Sequence, residues 1–231
     1  MTITLITGGN KGLGYEAARR LIALGHTVYI GARNAERGQK AADELGAQFL
    51  LLDVTDDVTV QEAAAQVTKI EGRLDVLINN AGVVGGRSKP EAVTTDEMCR
   101  TFETNVFGVV RVTQAFLPLL CKSEAPVIVN VSSGLGSFAM VTNPEKMESK
   151  INSLTYTSSK AALTMLTVQY AKALPEMRVN AVDPGATATD LNGHAGYQTV
   201  EEGTDAIVKM ATIGKDGPTG TFTDRKGTVP W

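Results

Sequence analysis

Tyr156 and Lys160, in the stretch YTSSK, stand four residues apart in a segment whose pattern predicts a helix near 154–173. That spacing puts both side chains on one helix face, where they can meet. A free phenol has a pKa of about 10, too high for efficient proton exchange at neutral pH. A nearby ammonium favours the phenolate and lowers that value. A drop of about three units takes roughly 4 kcal/mol of differential interaction. One ammonium plus hydrogen bonds in a partly dry site can supply it. The pair is therefore expected to carry a proton. Read by itself, it also fits an ordinary amphipathic face with the lysine stem lying along apolar surface.

A second chemical signal opens the chain. In ITLITGGNKGLG the apolar run Ile3 to Ile6 ends in three spaced glycines, Gly8, Gly12 and Gly14. A strand running into such a turn and then a helix aims backbone N–H groups and the helix dipole at an anion, here a diphosphate. The spacing TGxxxGxG is one residue longer than the usual dinucleotide fingerprint, and no Gly-Lys-Ser/Thr follows, so it is not a P-loop. NAD-type sites carry an Asp or Glu about 20 residues after the glycines, bonded to the ribose 2′-OH. In YIGARN that place holds Ala32 and then Arg33, 19 residues beyond Gly14. A guanidinium presents a planar set of donors to phosphate oxygens, and the Lys11 ammonium adds a point charge. The two are expected to converge on a 2′-phosphate.

The elements that must position these groups follow a regular rhythm. Strand-like runs appear at 3–6, 27–31, 48–52, 74–79, 126–131, 177–182 and near 219–222. The first six are continuously apolar rather than alternating, which predicts a parallel sheet covered on both faces. Helical stretches fall near 12–24, 34–45, 58–71, 95–120, 154–173 and 199–213. Thr94 and Glu97 form a capping box for the fourth. The alternation predicts one α/β domain over 1–231, doubly wound and Rossmann-type, with a mostly parallel sheet of about seven strands. Right-handed crossovers then bring all strand C-terminal ends to one edge, where a ligand belongs.

Composition sets the outer limits. Of 231 residues 43% are hydrophobic and 20% charged, an ordinary globular balance, and the net charge of −3 disfavours nucleic acid and anionic membranes. No apolar run approaches the roughly 20 residues of a membrane span. The N-terminus enters the first strand without a basic-then-apolar signal region. Cys99 and Cys121 show no metal spacing and are expected as reduced, partly buried helical thiols. Together these features predict a cytoplasmic protein.

With the glycine turn, NNAG at 79–82, VNVSS at 129–133, YTSSK at 156–160 and DPGATATDL at 183–191 resemble the classical short-chain dehydrogenase/reductase family across essentially the whole chain. TGGNKGLG, GARN, NVSS and a lengthened gap before the tyrosine look most like its carbonyl-reductase branch. The resemblance implies hydride transfer between NADP(H) and a small carbonyl or alcohol substrate. Tyr156 would be the general acid in reduction and the base in oxidation. Lys160 would bind the nicotinamide ribose, and Ser133 the substrate oxygen, with Ser132 in that role if the register is off by one. Asn105 lies at a helix-interior position among Phe102, Val106 and Val109. It should be partly buried and in need of a partner. By resemblance it holds a water leading to Lys160; a bond to a local carbonyl is the alternative.

The resemblance extends to the cofactor. Gly8, Asn10, Lys11, Gly12, Leu13 and Gly14 make the phosphate turn, and Arg33 completes the basic pair that the family reserves for NADP. Asp53 and Val54 fall on the adenine side, Asp53 alternatively capping the next helix. Asn80, Ala81 and Gly82 pass under the cofactor while Asn79 ties strands together. Pro184 and Gly185 form a turn, and Thr187 and Thr189 match the positions that hold the carboxamide. The gap from Ser133 to Tyr156, 23 residues, exceeds that of compact members. Its extra stretch, 141–153, reads as a surface loop or short helix that favours a monomer or dimer over a tetramer. The short segment 190–198 is expected to be the substrate lid, with His194 and Tyr197 lining the pocket or exposed. Other readings are an alcohol dehydrogenase, a pathway-specific ketoreductase, or a non-catalytic NADP-sensing regulator.

Overall fold

A strand without a polar face must be buried on both sides, and the central apolar runs are. The computed structural model describes residues 1–86 and 88–231. Seven strands form one all-parallel sheet: β1 (Ile3–Thr7), β2 (Thr27–Ala32), β3 (Gln48–Leu51), β4 (Val76–Asn79), β5 (Val127–Val131), β6 (Arg178–Val182) and β7 (Phe222–Thr223). Their order is β3-β2-β1-β4-β5-β6-β7. The order reverses between β1 and β4, and a crevice opens beyond the strand C-termini at such a switch.

Successive residues point to opposite faces of a strand, and here both faces are apolar. Leu5, Leu77 and Ile128 enter one core; Ile6, Ile78 and Val129 enter the other. The first core is closed by α3 (Asp57–Ile70), α5 (Gly108–Leu120) and α7 (Leu154–Ala173), the second by α1 (Gly12–Ala23), α2 (Ala35–Leu45) and α8 (Val200–Ala211). Capping residues fix several helix starts. Asn34 accepts from the Arg37 amide and Asp56 from Val58, while Thr94–Glu97 and Thr199–Glu202 form capping boxes.

Three expectations change. The helix over 95–120 is not continuous: α4 (Thr95–Phe102) and α5 are joined by a π-helical turn, Glu103–Phe107, in which the Gly108 amide donates to Glu103. Such a turn widens the helix by one residue, commonly at a functional site. Both cysteines are exposed and free, Cys121 lying just past the end of α5. The last strand is shorter than predicted and begins later, at Phe222, where it pairs with Ala181. A short helix, α6 (Phe138–Val141), and a 3-10 turn, Glu148–Lys150, flank the stretch before α7.

A polar ladder crosses the otherwise apolar interior. The Asn79 amide donates to Asn130 Oδ1 at 2.9 Å, and the Asn130 amide to Thr167 Oγ1 at 2.9 Å. Asn79 thus ties β4 to β5, as expected, and Asn130 ties β5 to α7. All three are buried, so removing one member strands the others. Asn130→Leu should lower unfolding free energy by about 1–3 kcal/mol. Chemical denaturation of the two proteins measures this, and equal stability would show that the ladder contributes nothing.

Candidate functional site

The site begins with a threonine hydroxyl at the end of β1. Thr7 Oγ1 accepts from the backbone amides of Asn80 and Ala81, both at 3.0 Å. In return the Asn80 side chain donates to the carbonyls of Thr7 and Gly8 at 2.9 and 3.1 Å. The turn after β1 and the segment after β4 are thereby fixed to each other. Gly8 is left-handed (φ 65°), and a Cβ on Gly14 would lie 2.5 Å from the Gly8 carbonyl, so the turn needs both glycines. Thr7 carried no role in the sequence reading; a threonine directly before the glycines was its only signal.

Above these segments lies a cavity of about 350 Å³. Its walls include Gly8, Asn10, Lys11, Gly12, Leu13, Arg33, Asp53, Val54, Asn80, Ala81, Gly82, Pro184 and Thr189, together with Tyr156 and Lys160. Gly14 and Gly185 support the walls without lining them. Thr187 is buried and donates to the Pro184 carbonyl at 2.9 Å, so of the two threonines only Thr189 reaches the cavity. Asp53 Oδ1 accepts from the amide and hydroxyl of Thr55 at 2.9 and 2.8 Å, while Asp56 caps α3. The α1 N-terminus has no side-chain cap and no acid in its first turn. Its free N–H groups and dipole suit an anion.

Tyr156 and Lys160 meet near the C-terminal ends of β5 and β6. Lys160 is 5% exposed, and its ammonium donates to the Val131 carbonyl at 2.8 Å, 5.6 Å from the Tyr156 ring centroid. Burial lowers Lys160 to about 8, partly opposed by Asp183. Burial pushes the Tyr156 phenol up to about 12; the neighbouring Ser133 hydroxyl pulls it down and the Asp183 carboxylate pushes it further up. This corrects the expectation of a phenol lowered by Lys160: desolvation is the largest cause and raises it, and the ammonium is bonded to a backbone carbonyl instead.

The two serines divide. Ser132 lines the cavity, but its hydroxyl donates to the Lys160 carbonyl at 3.3 Å. Ser133 accepts from the Leu135 amide at 3.2 Å, and its hydroxyl stands near enough to the Tyr156 phenol to pull that group's titration down. Asn105 is buried in the π-helical turn and does find backbone partners. Its Oδ1 accepts from the Val83 amide and its amide donates to the Val83 carbonyl, each at 2.9 Å, and to Ser159 Oγ at 3.0 Å. It therefore pins the segment after β4 to α7, close to Lys160.

Across the cavity mouth, Arg33 and Lys11 line the same space, as convergence requires, but the Lys11 ammonium is engaged elsewhere. It donates to Asp190 Oδ2 at 2.8 Å, and His194 Nε2 contacts Asp190 Oδ1 at 3.0 Å. The segment 190–198 is thus clasped to the glycine turn. A 3-10 turn, Asp190–Asn192, and a bridge from Thr187 to Gln198 hold its shape. His194 and Tyr197 are exposed and do not line the cavity.

Three comparisons agree with this architecture. The family model described as short chain dehydrogenase matches residues 2–199. Salutaridine reductase of Papaver bracteatum is 33% identical, covering 97% of this chain and 94% of that protein. (+)-Neomenthol dehydrogenase of Capsicum annuum is 30% identical, covering 96% and 95%. The crystal structure of NADPH-bound carbonyl reductase from chicken fatty liver superposes with a TM-score of 0.87 at 28% identity, covering all of both chains.

The clasp has a measurable signature. The hydrogen bond and charge of Lys11, with His194 assisting, hold the Asp190 carboxyl below the ordinary carboxylate range. In Lys11→Ala it should titrate higher, toward that range, in an NMR titration of the side-chain carboxylates. An unmoved Asp190 would mean that the pair does not persist in solution.

Proposed function

This chain belongs to the short-chain dehydrogenase/reductase family, in its carbonyl-reductase-like branch, and from that premise we propose that it is an NADPH-dependent reductase of a ketone or aldehyde with Tyr156 as the proton donor. The observation that carries the proposal is the meeting of Tyr156 and Lys160 at one end of a cavity whose other end is a glycine turn, with Ser133 beside the phenol. The uncapped α1 N-terminus, the Gly8 to Gly14 turn and Asn80 to Gly82 fit a dinucleotide diphosphate and its sugars. Lys160 fits the ribose hydroxyls on the reacting side, with Pro184 and Thr189 beside the ring; Asp53 and Val54 take the adenine side. The bound nicotinamide supplies the hydride.

The chain's own residues handle the carbonyl oxygen. Ser133 and Tyr156, side by side, both donate to it, which polarises the C=O bond. As negative charge grows on that oxygen, the phenol gives up its proton. A phenol raised by burial is fully protonated at neutral pH, the form reduction requires. The Lys160 ammonium and the Ser133 hydroxyl limit the cost of the phenolate that remains. Asn105 keeps the Val83 segment and α7 in register around Lys160. In the reverse direction the same phenolate would take the proton of an alcohol.

Tyr156→Phe keeps the ring and deletes only the acid. Carbonyl-reductase activity over a panel of activated ketones and quinones should fall at least about 100-fold, the low end of general acid catalysis, with NADPH binding by fluorescence nearly unchanged. Near-normal turnover would remove Tyr156 from its role, and a wild-type protein that binds NADPH yet turns over nothing would favour a sensor.

Cofactor choice rests on the end of β2. Ala32 leaves no acid to repel a 2′-phosphate, and Arg33 lines the cavity there with Lys11 across from it. NADPH should be strongly preferred over NADH, mainly in KM, because the 2′-phosphate is remote from the reacting carbon. Ala32→Asp with Arg33→Ala should shrink or reverse the preference. Equal efficiency with both cofactors in the unmodified protein would refute this assignment.

A further inference from the structure

Asp183 heads the DPG turn after β6 and has no part in the chemistry described so far, yet it is 7% exposed. Its main chain extends the sheet, the amide donating to the Thr223 carbonyl at 2.8 Å. Its side chain turns the other way. Oδ1 accepts from the Gly185 amide at 2.9 Å. Oδ2 packs against the Gly134 backbone, 2.9 Å from where a Cβ there would stand, and the Gly134 amide pulls the Asp183 carboxyl down. Gly134 directly follows Ser133, and Gly185 directly follows Pro184. One carboxylate therefore links the turn that presents the serine hydroxyl to the turn that forms the cavity's far wall.

We propose that Asp183 is a positioning residue of this site, tying the Ser133–Gly134 turn to the Pro184–Gly185 turn and setting a buried negative charge beside Tyr156 and Lys160. The inference rests on the reductase reading for its mechanistic meaning, but not for its geometry. Its hydrogen-bond donor is the Gly185 backbone amide, with the Gly134 backbone packed against Oδ2, and an ionised carboxylate is the acceptor-only form that an amide donor satisfies. Four groups face it from three elements: Tyr156 and Lys160 on α7, Glu148 on the 3-10 turn before α7, and Asp224 after β7. The Asp183 carboxyl stands above the ordinary carboxylate range: burial pushes it up most, the Gly185 and Gly134 amides pull it down, and Asp224 and Glu148 add to the rise.

The charge has a definite sense. It disfavours a phenolate at Tyr156 and favours an ammonium at Lys160, raising both groups. It therefore keeps Tyr156 in the acid form and Lys160 charged to higher pH than burial alone would allow. Removing it should lower both titrations, so the alkaline limb of carbonyl reduction should move to lower pH.

The test does not need turnover. The Tyr156 phenol is followed by ultraviolet difference titration, each protein paired with its Tyr156→Phe counterpart to remove the other tyrosines. In Asp183→Asn, and in the smaller neutral Asp183→Ser, the phenol should titrate on the order of one pH unit lower, the low end of what a neighbouring charge does. The alkaline limb of kcat should follow in any active variant. Asp183→Glu, which keeps the charge, should stay near the unmodified protein. A folded Asp183→Asn or Asp183→Ser whose phenol titration is unmoved overturns the proposal. In the unmodified protein, carbon-13 NMR should find Asp183 ionised at neutral pH, and a protonated carboxyl there overturns it too. An unmodified protein without carbonyl turnover defeats the reductase reading and leaves these two titrations to decide the role of Asp183.

Discussion

One hydroxyl holds the ligand crevice to its shape. Where strand order reverses, β1 and β4 lie side by side with their connections leading to opposite faces of the sheet, so the segments leaving them must diverge. Thr7 joins them before they do, accepting two consecutive amides from the far side while Asn80 returns two bonds. Backbone groups at a strand end have no ladder partner and would otherwise need water. Here they are satisfied by a neighbouring loop, which leaves the uncapped α1 N-terminus facing the cavity. The opening is thus a product of sheet topology first and of glycine second.

The opposite end of the cavity follows a different economy. Around Tyr156 and Lys160 desolvation dominates, raising the phenol and lowering the lysine, so each is pushed toward its neutral form. The groups that restore polarity are arranged in layers. The Val131 carbonyl receives the lysine, Ser133 eases the phenol's titration down, and Asn105 saturates Val83. A site dry enough to strengthen hydrogen bonds is also one in which every polar atom needs a named partner.

What could be read in the sequence was what is local or periodic. The central strands were legible because burial on both faces removes alternation, leaving runs such as Val127–Val131. The Tyr156–Lys160 pair was legible because a spacing of four is a statement about one helix face. The partners of Lys11 and Thr7 were not, since they lie 179 and 73 residues away and nothing local marks them. The sequence reading sent Lys11 toward a phosphate, and the folded chain gives it Asp190. The phenol's direction of shift was missed for a related reason: spacing reveals a charge nearby but not how much water the surrounding fold removes. Thr187 and Thr189 look alike in PGATATD, and only the turn geometry separates a buried hydroxyl from one beside the cavity.

The π-helical turn at Glu103–Phe107 also bears on how this chain can change over time. An ordinary helix advances about 100° per residue, so one extra residue in the turn rotates everything after it by roughly that amount relative to what precedes it. α4 can then face α7 while α5 turns its apolar side to the sheet and α3, although the two helices follow each other without a loop. The wedge is Asn105, whose side chain is anchored to another part of the backbone. A point substitution that spares Asn105 leaves that phase intact, whereas deleting a single residue between Glu103 and Phe107 would re-aim one of the two helices wholesale. In this region the molecule tolerates changes of letter better than changes of length.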